Sequence, residues 1–163
     1  MELSKIKSKI YEIRDKKVML DYDLADMYQV ETRVLNQQVK RNIKRFPVDF
    51  MFQLTNQEFT NLMSQNVISS WGGTRKLPYA FTEQGVAMLS GLINSDIAIS
   101  VNIGIMRAFV VLRQYALGYA ELNQKIENYM IESNMQFNEI YQAIEVLAEQ
   151  KKELDMPRNP IGY

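Results

Sequence analysis

Neither cysteine nor histidine occurs among the 163 residues of the chain. Without Cys there is no disulfide framework, thiolate zinc site or thiol nucleophile, and without His the imidazole bases and ligands of many hydrolases and metalloenzymes are missing. No carboxylate pair, nucleophile with its base, or phosphate-cradling glycine loop is spaced for chemistry either, so a non-enzyme without cofactor or metal is expected. Long apolar runs are also lacking. Val86–Ile93 and Ile103–Leu112 are interrupted by Ser90 and Arg107 and fall short of the roughly 20 residues a membrane span needs. The N-terminus, Met1–Lys7, has charge but no apolar stretch or small-residue cleavage site behind it, which predicts a cytoplasmic protein with no membrane partner.

Net charge is lacking as well: 19 Lys and Arg balance 19 Asp and Glu. The balance is local, because residues 1–120 carry 15 basic and 11 acidic side chains while residues 121–163 carry 4 and 8. What is present is 47% hydrophobic and 23% charged, the composition of a folded protein with one modest core and an appendage.

The first 20 residues predict a helical turn (Leu3, Ile6, Ile10) and then a small β-hairpin, Tyr11–Ile13 and Val18–Leu20, about a polar turn. Asp21 or Asp23 can cap a two-turn helix carrying Leu24, Ala25, Met27 and Tyr28. After Gln29-Val30-Glu31, Thr32 is placed to cap a second helix running to about Arg45, where Phe46-Pro47 ends it. At 100° per residue Leu35, Val39, Ile43 and Phe46 share one sector of that helix, and Arg33, Asn36, Gln37, Lys40 and Lys44 the other.

An alternating strand at Phe50–Leu54 follows, then the reciprocal capping box Thr55-Asn-Gln-Glu58 opening a helix to about Gln65. Trp71–Lys76 reads as a glycine turn or wing, and Leu77, Tyr79 and Phe81 as one face of a strand that Pro78 confines to an edge or a ladder gap. Thr82 caps a helix to about Ile93, with Gly85 where helices approach, and a longer helix buries Ile97, Val101, Ile105, Ala108, Leu112 and Tyr115. From Ile126 an unbroken spacing of four and three through Met130, Ser133, Phe137, Ile140, Ile144, Leu147, Lys151 and Leu154 predicts a coiled coil whose apolar members pair two or more copies. The predicted fold class is α+β, mainly α: a winged-helix-like helix-turn-helix domain with short hairpins over 1–117, a coiled-coil helix over 118–156 and a flexible tail over 157–163.

The helix pair carries the functional reading. Ala25 at the crossing, the Gln29-Val30 joint and the inward Leu35 and Val39 fit a helix-turn-helix, whose second helix lies in a DNA major groove. Cations neutralise phosphates, while Arg and carboxamides form paired hydrogen bonds to base edges. An ordinary surface helix also exposes such residues, but residues 32–46 hold five basic side chains and no acidic one, and Arg75 and Lys76 add a second basic turn. Thr32, Arg33, Asn36, Gln37, Lys40, Arg41, Lys44, Arg75 and Lys76 are therefore the candidate contacts to double-stranded DNA.

The segments Val18–Asp21, Asp23–Tyr28, Val30–Thr32, Leu35–Gln37, Val39–Ile43, Arg45–Pro47, Asp49–Leu54, Leu77–Leu89, Val101–Ile103 and Met106–Phe109 carry a further signal. Through them residues 1–117 resemble the ORF-six N-terminal domain of phage and bacterial mobile-element proteins, a relative of the KilA-N domain. The resemblance implies a sequence-specific DNA-binding module, often fused to a variable C-terminal segment and tied to phage regulation or antirepression. Gln29 stands where such turns usually have Gly, which suggests another turn geometry. Two functions are then in view: a transcriptional regulator acting as a coiled-coil dimer, or an antirepressor that contacts a repressor protein through its acidic helix and does not bind DNA itself.

Overall fold

A computed structural model describes residues 3–65 and 76–154. Its order is α1 (Leu3–Lys7), β1 (Tyr11–Ile13), β2 (Lys16–Leu20), α2 (Asp21–Tyr28), α3 (Thr32–Arg41), a 3-10 turn (Ile43–Arg45), β3 (Met51–Gln53), α4 (Asn56–Gln65), β4 (Tyr79–Thr82), α5 (Glu83–Leu89) and α6 (Asp96–Leu154). The class is α+β and mainly α. Two units divide the chain, Met1–Arg113 and Gln114–Tyr163. No helix of the described residues is long and apolar enough to cross a membrane.

In the first unit the strands expected as separate short hairpins join into one antiparallel sheet, ordered β1-β2-β4-β3. β4 lies inside it, pairing Phe81 with Met19 on one side and with Met51 on the other. Pro78 avoids this ladder by standing one residue before the strand, where its carbonyl accepts the Leu54 N–H. Both sheet faces are covered. Met19, Met51 and Phe81 join Leu24, Tyr28, Leu35, Val39 and the first turns of α6 in the main core, and Val18, Leu20, Phe52 and Ala80 pack with Leu62 of α4 in a second. Burial on two faces replaces the clean alternation expected of β3, since Met51 and Phe52 are both inside. Phe46 meets Phe81 edge to face at 5.9 Å, and each fully buried side chain of this size contributes roughly 1.5–3 kcal/mol.

Local signals place several joints correctly. The β1–β2 turn is the two residues Arg14-Asp15, both in the left-handed region (φ 54° and 57°) as a primed hairpin turn requires. Arg14 is held there by both carboxylate oxygens of Glu58, at 2.6 and 3.0 Å, and by the Phe52 ring at 4.2 Å. The capping box forms as expected, Glu58 accepting the Thr55 N–H at 2.8 Å and Thr55 Oγ1 the Glu58 N–H at 3.2 Å. Thr82 Oγ1 likewise caps α5 through the Gly85 N–H.

Other expectations are corrected. α2 and α3 start on Leu20 and Glu31, neither of which makes a side-chain cap, so Asp21, Asp23 and Thr32 lie within or at the start of the helices rather than capping them. α3 ends at Arg41, because Asn42 leaves helical geometry (φ −121°) and its amide donates to the Gln38 carbonyl. The break turns Ile43 outward, to 53% exposure, while Phe46 stays buried. Gly85 meets backbone rather than another helix: a Cβ there would stand 2.2 Å from the Phe50 carbonyl oxygen, which also accepts the Thr82 N–H. On α6 the buried positions are Ala98, Val101, Asn102, Ile105, Ala108 and Phe109, with Ile97 and Tyr115 exposed. Small Ala98 and Ala108 permit the close approach that the larger side chains do not.

The second unit is described as helix only. α6 continues through Gly118 to Leu154, and Ile126, Met130, Phe137, Ile140, Ile144 and Leu147 are 49–64% exposed within the single chain. The tail Pro157–Tyr163 lies outside the described residues.

Glu58 gives the fold a pH signature. The Arg14 side chain first, then the Thr55 N–H, pull its carboxyl down to about 2 from an ordinary 4.5. A lowered folded value means that its contribution is complete above the ordinary carboxylate range and is lost as pH falls from about 4.5 toward 2. The pair is partly solvated, which limits that contribution to about 1 kcal/mol. Urea unfolding at neutral pH and near pH 2.5 is expected to show Glu58→Gln less stable by this amount at the higher pH, with most of that deficit gone at the lower; an equal deficit at both would remove the ion pair as its cause.

Candidate nucleic-acid interface

Residues 21–41 form the helix pair. α2 ends in a left-handed residue, Gln29 (φ 56°, ψ 42°), with the Val30 N–H bonding back to the Ala25 carbonyl and the Gln29 N–H to that of Asp26. This is a Schellman ending, normally built on glycine. The turn therefore takes the usual geometry despite its glutamine, contrary to the expectation of another one, and carries the steric cost that a Cβ incurs there. Behind it Leu24, Ala25, Leu35 and Val39 are buried and press the two helices together.

A polar contact fixes how α3 lies on α2. Asn36 Nδ2 donates to the Asp21 carboxylate at 2.7 Å, and the same carboxylate accepts the backbone N–H of Tyr22 and of Tyr79. Burial raises the Asp21 pKa, with Asn36 and the backbone donors opposing that rise. Asp23 is also raised by burial, against its bonds to Lys9 at 2.8 Å and the Tyr11 hydroxyl at 3.1 Å. These two aspartates were legible only as helix caps; their side-chain partners lie 12 to 15 residues away, and nothing local announces them.

On the outward side Arg33, Gln37, Lys40 and Arg41 are exposed, and Lys44 is exposed on the 3-10 turn, while Thr32 and Asn36 are half-buried. Glu31 approaches Arg33 at 3.8 Å in solvent; among the described residues Lys40, Arg41, Lys44 and Lys76 have no carboxylate within ion-pair distance. Lys76 is exposed and shares a cleft with Arg33, Gln37 and Lys40. Arg75 and the rest of the expected wing lie outside the described residues. Tyr22, Phe59, Leu77 and Pro78 complete the cleft. They come from three separate parts of the chain, and nothing in the sequence announced that these parts meet.

The ORF6N domain model matches residues 8–92. The chain belongs to the ORF6N domain family. The ORF6N segment, of a phage-type family, contains the whole sheet, the helix pair and the cleft, and ends before α6 begins. No curated protein and no solved structure gives a significant match to this ORF6N chain.

Two substitutions test this geometry by their effect on urea unfolding. Gln29→Gly is expected to stabilise the ORF6N domain by about 1 kcal/mol by relieving the left-handed residue, and an unchanged or lower midpoint would contradict the strain. Asn36→Ala is expected to cost about 1–3 kcal/mol because it takes a donor from a buried carboxylate, whereas Gln37→Ala, on the exposed side, stays within about 0.5 kcal/mol. Equal losses would mean that Asn36 does not anchor α3.

Proposed function

We propose that this ORF6N protein is a sequence-specific DNA-binding regulator of phage or mobile-element type, without chemistry of its own, acting as a coiled-coil homodimer. The observation that carries the reading is the outward face of α3, where Lys40, Arg41 and the Gln37 carboxamide stand without acidic partners among the described residues and Arg33 meets only the solvated Glu31, while Leu35 and Val39 hold the helix on the core. In helix-turn-helix docking the N-terminal part of the second helix meets base edges. Arg33 and Gln37 occupy that part and suit paired hydrogen bonds to guanine and adenine edges respectively. Lys40, Arg41, Lys44 and Lys76, with Arg75, then serve the phosphates, and Thr32 completes the contact set. Asn36 acts one step back, setting the pose of α3 through Asp21.

The dimer part rests on the stripe from Ile126 to Leu147, which no described residue of the same chain covers and which keeps a strict heptad spacing that ends on Leu154. Two copies paired there would bring two basic helices to one duplex.

The test is a titration of labelled duplex DNA at several salt concentrations. Five phosphate contacts per protomer give a log-log slope of about −4.5 for each protomer bound, and Lys40→Ala should reduce that magnitude by about 1 per protomer. A chain carrying Ile140→Lys and Ile144→Lys, monomeric by light scattering, should bind more weakly with about half the slope of the dimer. Affinity independent of salt would overturn DNA binding and leave the interaction with a repressor protein as the role of the module.

A further inference from the structure

The cleft beside α3 has a volume of about 430 Å³, within the range of small-molecule sites and more than a phosphate needs. Its walls are apolar, from Tyr22, Phe59, Leu77 and Pro78, and three cations border it, Arg33, Lys40 and Lys76. Asp21 is the one acid among the lining residues, and its oxygens are already occupied by Asn36 and backbone N–H groups. A carboxylate only accepts, so the Asn36 amide turns its Nδ2 to Asp21, and its Oδ1 is closed to solvent with no hydrogen-bond partner among the described residues.

We propose that the cleft binds a small aromatic carboxylate: ring against the apolar walls, carboxylate toward the cations. Such a ligand draws on Arg33, Lys40 and Lys76, which are also the groups proposed to hold DNA. Ligand and duplex therefore exclude each other, a regulatory consequence that rests on the DNA-binding reading, although the site itself does not.

Binding is read without DNA, by amide chemical shifts of the full-length chain titrated with indole-3-acetate, salicylate and 4-hydroxyphenylacetate. At least one acid should shift Tyr22, Asn36, Phe59 and Leu77 saturably. Its neutral alcohol analogue, and the acid on a Lys40→Glu, Lys76→Glu chain, should bind about tenfold more weakly, as expected for a lost charge-assisted hydrogen bond. Gln37→Trp, which blocks the cleft without removing charge, should abolish the shifts while the thermal midpoint is unchanged. Equal affinity of acid and alcohol, shifts confined to residues 114–154, or no saturable shift with any of the three acids at millimolar concentration would overturn the site. Displacement of labelled duplex by the acid but not by the alcohol supports exclusion, and simultaneous binding overturns it. A chain that binds the acid but no duplex under any salt condition would sink the DNA-binding reading and leave the site standing.

Discussion

The first unit depends on a strand of four residues. Tyr79–Thr82 pairs on both edges, tying the N-terminal hairpin to β3, and it is buried on both faces, so the helices of the main core and α4 are held apart yet on one support. Thr82 concentrates the constraint. Its N–H and hydroxyl both reach the Phe50 carbonyl, the hydroxyl also caps α5, and Gly85 leaves room for that same carbonyl against the helix. Polar groups in such a place must be satisfied, and here one carbonyl and one hydroxyl satisfy several neighbours at once.

The helix pair hangs from this support by apolar contacts and is oriented by a buried carboxylate. The two contributions differ in kind. Leu35 and Val39 supply most of the adhesion without fixing a rotation, whereas the Asn36–Asp21 bond is directional and leaves α3 one preferred roll about its axis. Such a roll decides which side chains of α3 face outward.

Features written in neighbouring residues were legible in the sequence: the hairpin after Tyr11, although its turn closes on Arg14-Asp15 and the strand takes in Lys16 and Lys17, the capping box at Thr55–Glu58, the Thr82 cap, and the inward Leu35 and Val39. Those settled by distant contacts were not. Asp21 reads as a cap because a short acid before a helix usually is one, and only the folded chain brings Asn36 and Tyr79 to it. The break at Asn42 follows from an amide competing for the Gln38 carbonyl, and it sends Ile43 outward against the periodicity. On α6 the period correctly gave Val101, Ile105 and Ala108, but it also pointed to Ile97 and Tyr115, which are exposed, and it missed the small Ala98. Of the candidate site, the cationic residues of α3 could be named in advance, but not the apolar walls beside them.

The family segment stops at residue 92, yet Ala98, Val101, Ile105, Ala108 and Phe109 belong to the main core. The unit that folds is thus longer than the unit that is inherited as a recognisable module. During synthesis from the N-terminus the sheet and helix pair emerge from the ribosome first and wait, their apolar side uncovered, until the opening turns of α6 arrive to close it. Any rearrangement that joins a new C-terminal segment at the module's edge must bring along a helix able to do the same.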